Sequence, residues 1–520
     1  MSGAPSIPPA LEAALEGDDA RELIARARRP LAPEVHRELV AQNAALAPSP
    51  ARDAHLAALA GGAAAVVTGQ QVGLFLGPLY TIYKAAAAIA TARALAAATG
   101  APVVPVFWLQ TEDHDLVEIA SCGVPGRAAC EALAVPVDPA NRISVAHHRL
   151  PGEVAGCLDA LAELLGDGGA ARAHLERLRR HYRPGAPWAG AFAGVLAELF
   201  APEGLVFLDP RTPALAAAAA PVHARAIEHA ERIADGLIAR DRELERAGRP
   251  APVHVRPGAP LSFFHPDGAE GPRVRLEPAG GDRFAEVSGE RRFDRAALLA
   301  ALRDDPRRLS TSALLRPIVQ DALLPTAAYV GGPGEVAYFA QLPPLYRAFE
   351  RAPTRIVPRA RFRIVDARAR RLLDRLGLQP ADAERPEPEL LARLRRPGAA
   401  ATGAELAHRL LDPFLAAHGQ LAAGLAHAGP AIARALARTR GSVERAVGKL
   451  AGKVERAALY EDASLVEAVR ALRARLAPDG APQERVLGLP GPAAALGDRA
   501  LIERVLAAVH PGDPTLQELA

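Results

Sequence analysis

Several residue types are scarce in this 520-residue chain, and the scarcity narrows what the protein can be. Only three cysteines are present, Cys122, Cys130 and Cys157, and no two of them have CxxC spacing. An odd number of sparse cysteines does not fit a disulfide framework, so a reducing compartment is favoured. We expect these three residues to be small buried thiols.

Long hydrophobic runs and a strong charge of one sign are also lacking. The first 20 residues contain no basic segment followed by an apolar one, which a signal peptide would need. The most apolar stretch, residues 82–108, is interrupted by Lys84, Arg93, Gly100 and two prolines, so a membrane span of about 20 apolar residues does not fit. The net charge of +3 gives no reason to expect a nucleic acid partner. The sequence therefore predicts a soluble cytoplasmic protein without a membrane partner.

Lysine and asparagine are rare in a way that is informative. Only three of the 62 basic residues are lysine, and Lys84 is the only one before Lys449. Asparagine occurs only at Asn43 and Asn141. A composition this biased replaces residue types wherever a substitute works, so rare types that persist in clusters indicate positions with a chemical requirement.

The region from residue 63 to residue 109 has the pattern of a βαβ unit. Two short apolar runs, residues 63–69 and 102–109, are typical of buried strands in a parallel sheet. A glycine-containing loop and an alanine-rich helix connect them, with Pro78 expected at the first helical position and Gly100 at the end. This order predicts an α/β fold with a doubly wound sheet.

An eleven-residue apolar repeat occurs in the helical region near the C-terminus. Leu421, Ile432 and Val443 follow this step, and Leu425 and Leu436 begin a second row. Such a repeat describes a nearly straight or slightly right-handed coiled coil. Two interpretations stay open, an ordinary amphipathic helix and a helical hairpin that pairs with another chain.

The first group of candidate site residues surrounds the loop and the opening of the helix. Its glycines permit close backbone approach, and the first amides and positive dipole end of the helix favour an anion. Lys84 would supply a compact charge for a phosphate, a role in which arginine is not equivalent. A tight structural crossover is the alternative. The candidate ligand-binding residues are Thr68, Gly69, Gln70, Gln71, Gly77, Pro78, Tyr80, Thr81 and Lys84.

The second group follows the strand at residues 102–109, at the end where ligands bind in open α/β sheets. It consists of Trp108, Glu112, Asp113, His114 and Asp115. Carboxylates around one histidine could orient an imidazole, bind a substrate ammonium or hold a divalent cation. A solvated acidic turn with a capping aspartate is the alternative. No second histidine or cysteine has ligand spacing nearby, which disfavours zinc.

The third group lies around a second glycine turn. Gly331, Gly332 and Gly334 shape this turn, and Glu335, Tyr338 and Gln341 are expected on one face of the helix that follows. Arg316, Gln320 and Asp321 come shortly before it, and five of the seven tyrosines fall in or beside the first and third groups. Arg359 and Arg361 are either further anion contacts or surface charges.

Four segments together carry a family resemblance. VVTGQQVGLFLGPLYTIYKA, PVFWLQTEDHDLVEI, LRPIVQDALLPTAAYVGGPGEVAYFAQL and PQERVL occur in this order between about residue 63 and residue 490. In these segments the chain resembles the bacillithiol biosynthesis cysteine-adding enzymes, a family of cysteine ligases. The resemblance implies amide formation between L-cysteine and the amine of glucosaminyl-malate, the last step of bacillithiol biosynthesis.

The resemblance also implies a Rossmann-type core with two connecting insertions and an α-helical coiled-coil domain that forms a homodimer. On this basis we expect a core over residues 1–370, with insertions near 125–200 and 245–295. A helical domain is expected over residues 371–480, and residues 481–520 return to the core.

The layout is similar to that of class I aminoacyl-tRNA synthetases, but GPLYTIYK occupies the place of their His-Ile-Gly-His signature. Activation of the cysteine carboxylate by ATP is therefore an expectation, and a metal requirement stays open. In this hypothesis Lys84 stabilises phosphate charge, Asp113 or Asp115 holds the cysteine ammonium, and His114 is the base. Arg316 and the turn at residues 331–335 would receive malate carboxylates or sugar hydroxyls.

Two other functions remain as alternatives. The chain could be a nucleotide- or metabolite-binding module with a dimerising coiled coil and no ligase activity. It could also be a related ligase for a different amino acid.

Overall fold

The computed structural model describes residues 17–287, 289–395 and 403–520. The chain divides into two compact units. The larger unit contains the described residues up to Pro125, residues 131–366 and residues 483–520. The smaller unit contains residues 126–130 and the described part of residues 367–482.

The strands are short, and the longest ones are buried on both faces. In chain order they are β1 (Ala64–Gln70), β2 (Val103–Leu109), β3 (Ser121–Pro125), β4 (Cys130–Ala134), β5 (Val206–Leu208), β6 (Ser262–Phe264), β7 (Leu276–Pro278), β8 (Arg283–Glu286), β9 (Arg292–Asp294), β10 (Leu309–Thr311), β11 (Thr326–Gly331), β12 (Arg355–Pro358), β13 (Arg361–Ile364) and β14 (Leu516–Leu519).

The α-helices up to residue 348 belong to the larger unit, as do the last three of the chain. In chain order the helices are α1 (Gly17–Ala27), α2 (Pro33–Ala44), α3 (Pro50–Ala60), α4 (Tyr80–Thr99), α5 (Leu116–Ile119), α6 (Val154–Leu165), α7 (Gly169–His181), α8 (Trp188–Leu199), α9 (Pro213–Glu228), α10 (Ala230–Arg246), α11 (Arg295–Asp304), α12 (Arg316–Leu323), α13 (Pro333–Phe339), α14 (Pro343–Ala348), α15 (Ala367–Leu376), α16 (Glu387–Leu394), α17 (Gly403–Gly424), α18 (Pro430–Leu459), α19 (Ala463–Leu476), α20 (Gln483–Val486), α21 (Pro490–Leu496) and α22 (Asp498–Ala508). Among the described residues, no helix is both long enough and apolar enough to cross a bilayer.

The central sheet has five parallel strands in the order β12–β11–β1–β2–β5. Its strands are apolar without alternation because both faces are covered, which is the usual situation in parallel sheets. The predicted α/β fold with a Rossmann-type parallel sheet is confirmed. From β1 the chain moves to β2 and β5 on one side, and β11 and β12 lie on the other. A crevice is therefore expected where the carboxyl ends of β1 and β11 diverge.

The hydrophobic core of the larger unit lies against this sheet. Val67, Trp108, Leu208 and Tyr329 belong to one buried cluster with side chains of the flanking helices. The segment near residues 245–295, where an insertion was expected, contains β6 to β9, of which β7, β8 and β9 form an antiparallel sheet. A separate cluster of buried side chains stabilises this segment.

Two details of the core differ from the sequence prediction. Helix α4 begins at Tyr80 and is preceded by Leu79 as its N-cap, so Pro78 lies outside the helix and not at its first position. Strand β13 was also not predicted from the sequence, and it pairs in parallel with β14. Its partner strand lies at residues 516–519, so no local pattern indicates this pairing.

In the smaller unit, α17 and α18 pack against each other as a helical hairpin. Leu425 and Leu436 of the eleven-residue repeat are half-buried, whereas Leu421 and Ile432 are 53% and 40% exposed. The pairing of this hairpin with another chain stays a prediction.

Candidate functional site

A polar cavity of about 350 Å³ opens at the carboxyl ends of β1, β2 and β11, at the crevice that the strand order indicates. Loops and helices that follow these strands supply most of its wall. The lining residues are Gly69, Gln70, Gln71, Tyr80, Lys84, Trp108, Gln110, Asp113, Glu118, Ala313, Arg316, Tyr329, Gly332, Pro333, Gly334, Glu335, Tyr338, Arg359 and Arg485. The structure thus brings members of all three predicted groups together.

Lys84 is buried in the wall of the cavity, on the second turn of α4. Its Nζ atom lies 2.5 Å from Glu335 Oε2 and donates to the carbonyl of Gly69 at 2.8 Å and to Gln70 Oε1 at 3.0 Å. Burial lowers the pKa of Lys84, and the neighbouring Glu335 charge acts in the opposite direction. The ammonium has three acceptors within the protein, so the expected free charge for a phosphate is already neutralised.

Glu335 holds the second glycine turn in its shape. Its Oε2 accepts the backbone amide of Gly332 at 2.7 Å, and its Oε1 accepts the Tyr329 hydroxyl at 2.5 Å. Burial alone would raise the pKa of Glu335, but Lys84 and these hydrogen bonds outweigh it and leave the pKa below its usual range. Glu335 is therefore an ionised carboxylate that joins α4, β11 and α13 at one point.

Arg316 is a second buried cation beside the cavity. Its Nη1 donates to Gln320 Oε1 at 2.8 Å, its Nη2 donates to the Tyr338 hydroxyl at 2.9 Å, and the guanidinium lies 4.6 Å from the centre of the Tyr329 ring. These contacts fix the plane of the guanidinium. Its position in the wall makes it a fixed positive charge rather than a mobile anion-binding arm.

Three backbone amides at the start of α4 are already hydrogen-bonded within the protein. Leu79 N donates to the carbonyl of Leu487, Thr81 N to that of Pro78, and Ile82 N to that of Leu79. For these three N–H groups, the expectation that the opening of the helix presents free donors to an anion is wrong. A tight turn before the helix and the segment from the C-terminus supply carbonyl partners that sequence periodicity does not reveal.

Of the acidic run after β2, Asp113 reaches the cavity. Its Oδ2 accepts Gln71 Nε2 at 2.8 Å, and its Oδ1 accepts Arg273 Nη2 at 2.6 Å. Burial would raise the pKa of Asp113, but the Arg273 charge and the Gln71 hydrogen bond hold it below its usual range. Asp113 is thus ionised and already paired.

His114 does not line the cavity, contrary to its assignment as a base. Arg273 Nε lies 2.6 Å from its Nδ1, and Arg142 Nη1 lies 2.9 Å from its Nε2. Burial and the two neighbouring guanidinium charges lower the pKa of His114 to about 4. The imidazole is therefore neutral near pH 7, and only one of its two nitrogens can accept a hydrogen bond from an arginine.

Asp115 and Glu112 also lie outside the cavity. Asp115 caps α5, because its Oδ1 accepts the Glu118 amide at 3.1 Å. Glu112 is buried and accepts the Thr311 hydroxyl, and burial raises its pKa. The alternative of a capping aspartate is correct for Asp115, and Glu112 joins β2 to β10 instead of binding a ligand.

Three predicted residues of the first group have structural contacts away from the cavity. Thr68 is buried in β1 and donates to the carbonyl of Val330 at 2.9 Å. Thr81 is buried in α4. Gly77 has a φ of 63°, and a Cβ there would lie 3.4 Å from Gly73 Cα, so its role is in the turn. These residues shape the loop without reaching a ligand.

Three residues of the third group are similarly structural. Gln320 donates to Asp321 Oδ1 at 3.1 Å, and Asp321 accepts the Tyr346 hydroxyl at 2.9 Å. Gln341 lies beyond the end of α13 and donates to Asp241 Oδ1 at 2.8 Å. The helix ends at Phe339, so the expected shared face with Glu335 and Tyr338 does not extend to Gln341.

Two glycines of the site are required by close contacts. A Cβ at Gly69 would lie 2.8 Å from the carbonyl oxygen of Trp108, and one at Gly331 would lie 3.0 Å from the Cβ of Glu335. Gly331 itself is the last residue of β11 and does not line the cavity. A larger residue at either position would displace a wall of the cavity.

Gln110, Glu118 and Arg485 line the cavity without having been candidate residues, whereas the lining residue Trp108 was predicted and Arg359 was left open between an anion contact and a surface charge. Gln110 Oε1 and Trp108 Nε1 are buried atoms with no hydrogen-bond partner among the described residues. Arg359 is 3% exposed and pairs with Glu484 through two hydrogen bonds of 2.9 and 2.8 Å, so it is not a surface charge. Arg485 belongs to the PQERVL segment that contributed to the family resemblance, and this segment was the available signal.

A second cavity of about 280 Å³ adjoins the first. Gln70, Gln71, Tyr80, Glu118 and Arg485 line both cavities and therefore form the partition between them. Pro78 lines only the second cavity, together with residues of β3 and α20. No cluster of three or more His, Cys, Asp or Glu side chains suited to a metal occurs among the described residues.

The sequence comparisons agree with this architecture. A family model described as "Bacillithiol biosynthesis BshC, N-terminal Rossmann-like domain" matches residues 17–360. The chain belongs to this family.

Curated relatives have the same assignment. A protein of Koribacter versatilis named "Putative cysteine ligase BshC" is 37% identical over 379 residues, which is 72% of this chain and 66% of the relative. A protein of the same name from Solibacter usitatus is 34% identical over 82% of this chain and 79% of its own length. A third, from Salinibacter ruber, is 38% identical over 61% of this chain and 57% of its own length. The first and third alignments thus cover less than two thirds of those relatives.

Proposed function

We propose that this chain is a cysteine ligase that joins L-cysteine through an amide bond to the amine of glucosaminyl-malate, in the last step of bacillithiol biosynthesis. Membership of the family supports this proposal, as do relatives that carry the name of a cysteine ligase. We further propose a cytoplasmic location and small-molecule substrates only.

The cavity at the ends of β1, β2 and β11 is the observation that supports the proposal most. It combines fixed charges of both signs with polar atoms that await a partner, such as Trp108 Nε1 and Gln110 Oε1. A buried donor or acceptor without a partner costs about 1–3 kcal/mol, so an ordered water or a ligand is expected to supply one. Sugar hydroxyls, amines and carboxylates are the groups that this wall can bind.

ATP is the proposed activating cosubstrate. Bound in this cavity it would supply the activation of the cysteine carboxylate. The buried Trp108 and Gln110 atoms fit a nucleoside or a sugar, and Tyr80 and the backbone of Gly332 and Gly334 are further candidates to hold it. Lys84 contributes by holding Glu335 and the glycine turn in place, since its charge is already paired.

We also propose that the helical hairpin pairs with a second copy of the chain. Leu410, Leu421, Ile432 and Leu450 are large apolar side chains on α17 and α18 that are 40% or more exposed. Exposed apolar residues along one helical hairpin are typical of a helix–helix interface. Light scattering coupled to size exclusion would give a dimer for the wild type, and a monomer for a variant with Leu421→Glu and Ile432→Glu. A monomeric wild type would contradict this proposal.

The ligase activity is tested directly with the purified protein. Incubation with ATP, L-cysteine and glucosaminyl-malate should give a thiol product that mass spectrometry identifies as the amide. Reactions without ATP, and with serine or alanine in place of cysteine, test the cosubstrate and the amino acid. A product with another amino acid only would favour a related ligase, and ligand binding without any product would favour a binding module.

A further inference from the structure

The charged side chains of the two cavities differ in how completely the protein itself neutralises them. Lys84 pairs with Glu335, and Asp113 pairs with Arg273. Arg359 pairs with Glu484, and both terminal nitrogens of Arg316 are hydrogen-bonded. Among the described residues, no ion pair is found for Arg316, Glu118 and Arg485; Arg316 is held by hydrogen bonds to neutral groups, and Glu118 accepts one from Gln71.

Glu118 and Arg485 also occupy a distinctive position. They are the only two charged residues among the described ones that line both cavities, so they stand at the junction. No other charged side chain of the described part of the chain lines the second cavity. One carboxylate and one guanidinium therefore face the same small polar space.

Glu118 and Arg485 each lie on a short helix that hydrogen bonds hold in place. Glu118 lies on α5, which the Asp115 carboxylate caps. Arg485 lies on α20, where the preceding residue, Glu484, bonds to Arg359 and to Arg361 Nε at 3.0 Å. The backbone at both positions is thus fixed, and each charge lies at a defined place before a ligand arrives.

The electrostatic surroundings of Glu118 favour a cation. Burial raises the pKa of Glu118, and the nearby negative charges of Asp113 and Asp115 act in the same direction, whereas a hydrogen bond from Gln71 and the charge of Arg485 oppose them without reversing the shift. Glu118 lies near two other carboxylates and has no ion pair, so the site attracts a ligand ammonium. Arg485 supplies the complementary preference for a carboxylate, which a guanidinium binds with two parallel hydrogen bonds.

We propose that the junction of the two cavities is the binding site for a zwitterionic α-amino acid, with the ammonium on Glu118 and the carboxylate on Arg485. This inference rests on the proposed function, in which the amino acid is L-cysteine. It replaces Asp113 and Asp115 as holders of the ammonium, because Asp113 is paired with Arg273 and Asp115 caps α5. Because Arg485 also lines the first cavity, the carboxylate faces the space proposed for the activating nucleotide.

A dicarboxylate such as the malate group fits this junction less well. Two carboxylates require two cations, and Arg485 is the only cation in the wall of the second cavity among the described residues. A neutral sugar would leave both charges without a partner. The opposite charges of an amino acid match the two residues one to one.

Binding of three related thiols to the full-length protein tests the assignment. L-Cysteine has both charges, cysteamine lacks the carboxylate, and 3-mercaptopropionate lacks the ammonium. Calorimetry on the wild type should give cysteine at least about tenfold tighter binding than either analogue, the ratio expected for one charged contact. Glu118→Gln should abolish the advantage over 3-mercaptopropionate only, and Arg485→Gln the advantage over cysteamine only.

Matched controls come from an exposed ion pair of the same types. Arg499 and Glu503 on α22 bond to each other at 2.7 Å, and both are exposed. Arg499→Gln and Glu503→Gln should leave all three affinities unchanged. Thermal unfolding of each variant verifies that it folds. Equal loss of all three affinities in Glu118→Gln and Arg485→Gln, or no loss in either, would overturn the proposal.

Kinetics separate this inference from the proposed function. If the wild type forms the thiol product, both variants should raise the KM for cysteine at least about tenfold and leave the KM for glucosaminyl-malate unchanged. Product formation with an unaltered cysteine KM in both variants would refute the amino-acid site while the ligase assignment stands. Charge-selective cysteine binding without any product would refute the ligase assignment and leave the site in place.

Discussion

The glycine turn at residues 331–335 and the acidic run at residues 111–115 follow neighbouring parts of the same parallel sheet, but they contribute differently to the cavity. Gly332, Pro333, Gly334 and Glu335 all line it, whereas only Asp113 of the acidic run does. The turn is closed by its own glutamate, which accepts the Gly332 amide. A short-range hydrogen bond of this kind directs the whole segment to one side.

The acidic run, in contrast, is positioned by side chains that lie far away in the sequence. Arg142 and Arg273, from other parts of the larger unit, engage His114, and Thr311 engages Glu112. Each of these contacts draws a side chain away from the cavity. A local motif therefore predicts its own geometry well only where its hydrogen-bond partners are local too.

The largest expected effect concerns the pair that joins the turn to α4. Lys84→Met leaves the Glu335 carboxylate buried without its cation, which should cost about 3–5 kcal/mol of unfolding free energy. Urea denaturation measures this loss. The double variant Lys84→Met, Glu335→Gln should recover part of it, because neither charge remains. A double variant less stable than the single one would show that the two residues do not act as a pair.

The acidic run offers the next comparison. Asp113→Asn weakens the partner of Arg273 and should destabilise the protein by about 1–3 kcal/mol, with a clear loss of product formation. Asp115→Asn weakens only a helix cap, should cost about 1 kcal/mol or less, and should retain activity. Denaturation curves and product assays of the two variants side by side measure the difference. Equal activity losses would mean that Asp115 reaches the substrate.

Arg316 allows a smaller test of the turn. Tyr338→Phe removes the hydroxyl that accepts Arg316 Nη2 and keeps the ring, so we expect a loss of about 1 kcal/mol. Chemical denaturation at neutral pH measures it. No change at all would indicate that the guanidinium finds another acceptor in the cavity.

The smallest effect on stability at neutral pH is expected at His114. Its pKa in the folded protein is about 4, against an ordinary value of 6.5. The stability linked to its neutral form is present above pH 6.5 and is lost as the pH falls towards 4. His114→Gln should therefore flatten the acid side of the stability curve and leave the activity profile between pH 6.5 and 8 unchanged. An altered dependence of activity on pH in that range would show that His114 acts as a base.

The sheet could be predicted from the sequence because its signals are local. Continuous apolar runs identified β1 and β2, and Gly100, with a φ of 70°, ends α4 where the pattern indicates. The start of α4 was misjudged by two residues, because Leu79 takes helical torsion angles and Leu487 accepts its amide. That partner lies some 400 residues further along the chain, where no local pattern can indicate it.

The location of the candidate site could be predicted from the sequence, but the roles of its individual residues could not. Rarity correctly drew attention to Lys84, which lies in the cavity wall, but its pairing with Glu335 depends on how β1 and β11 come together. Glu118 and Arg485 lie in two of the segments that carry the family resemblance, but glutamate and arginine are too common in this chain for rarity to single them out. Their importance follows from the two cavities that meet between them.

Thiol product formation by the wild type and by Glu335→Gln, measured in one experiment by mass spectrometry with ATP, L-cysteine and glucosaminyl-malate, tests the account most directly. We expect the amide product from the wild type and a rate lower by about 100-fold from the variant, because the glycine turn loses the carboxylate that positions it. Equal rates for the two proteins, or no product from a wild type that binds cysteine, would contradict it.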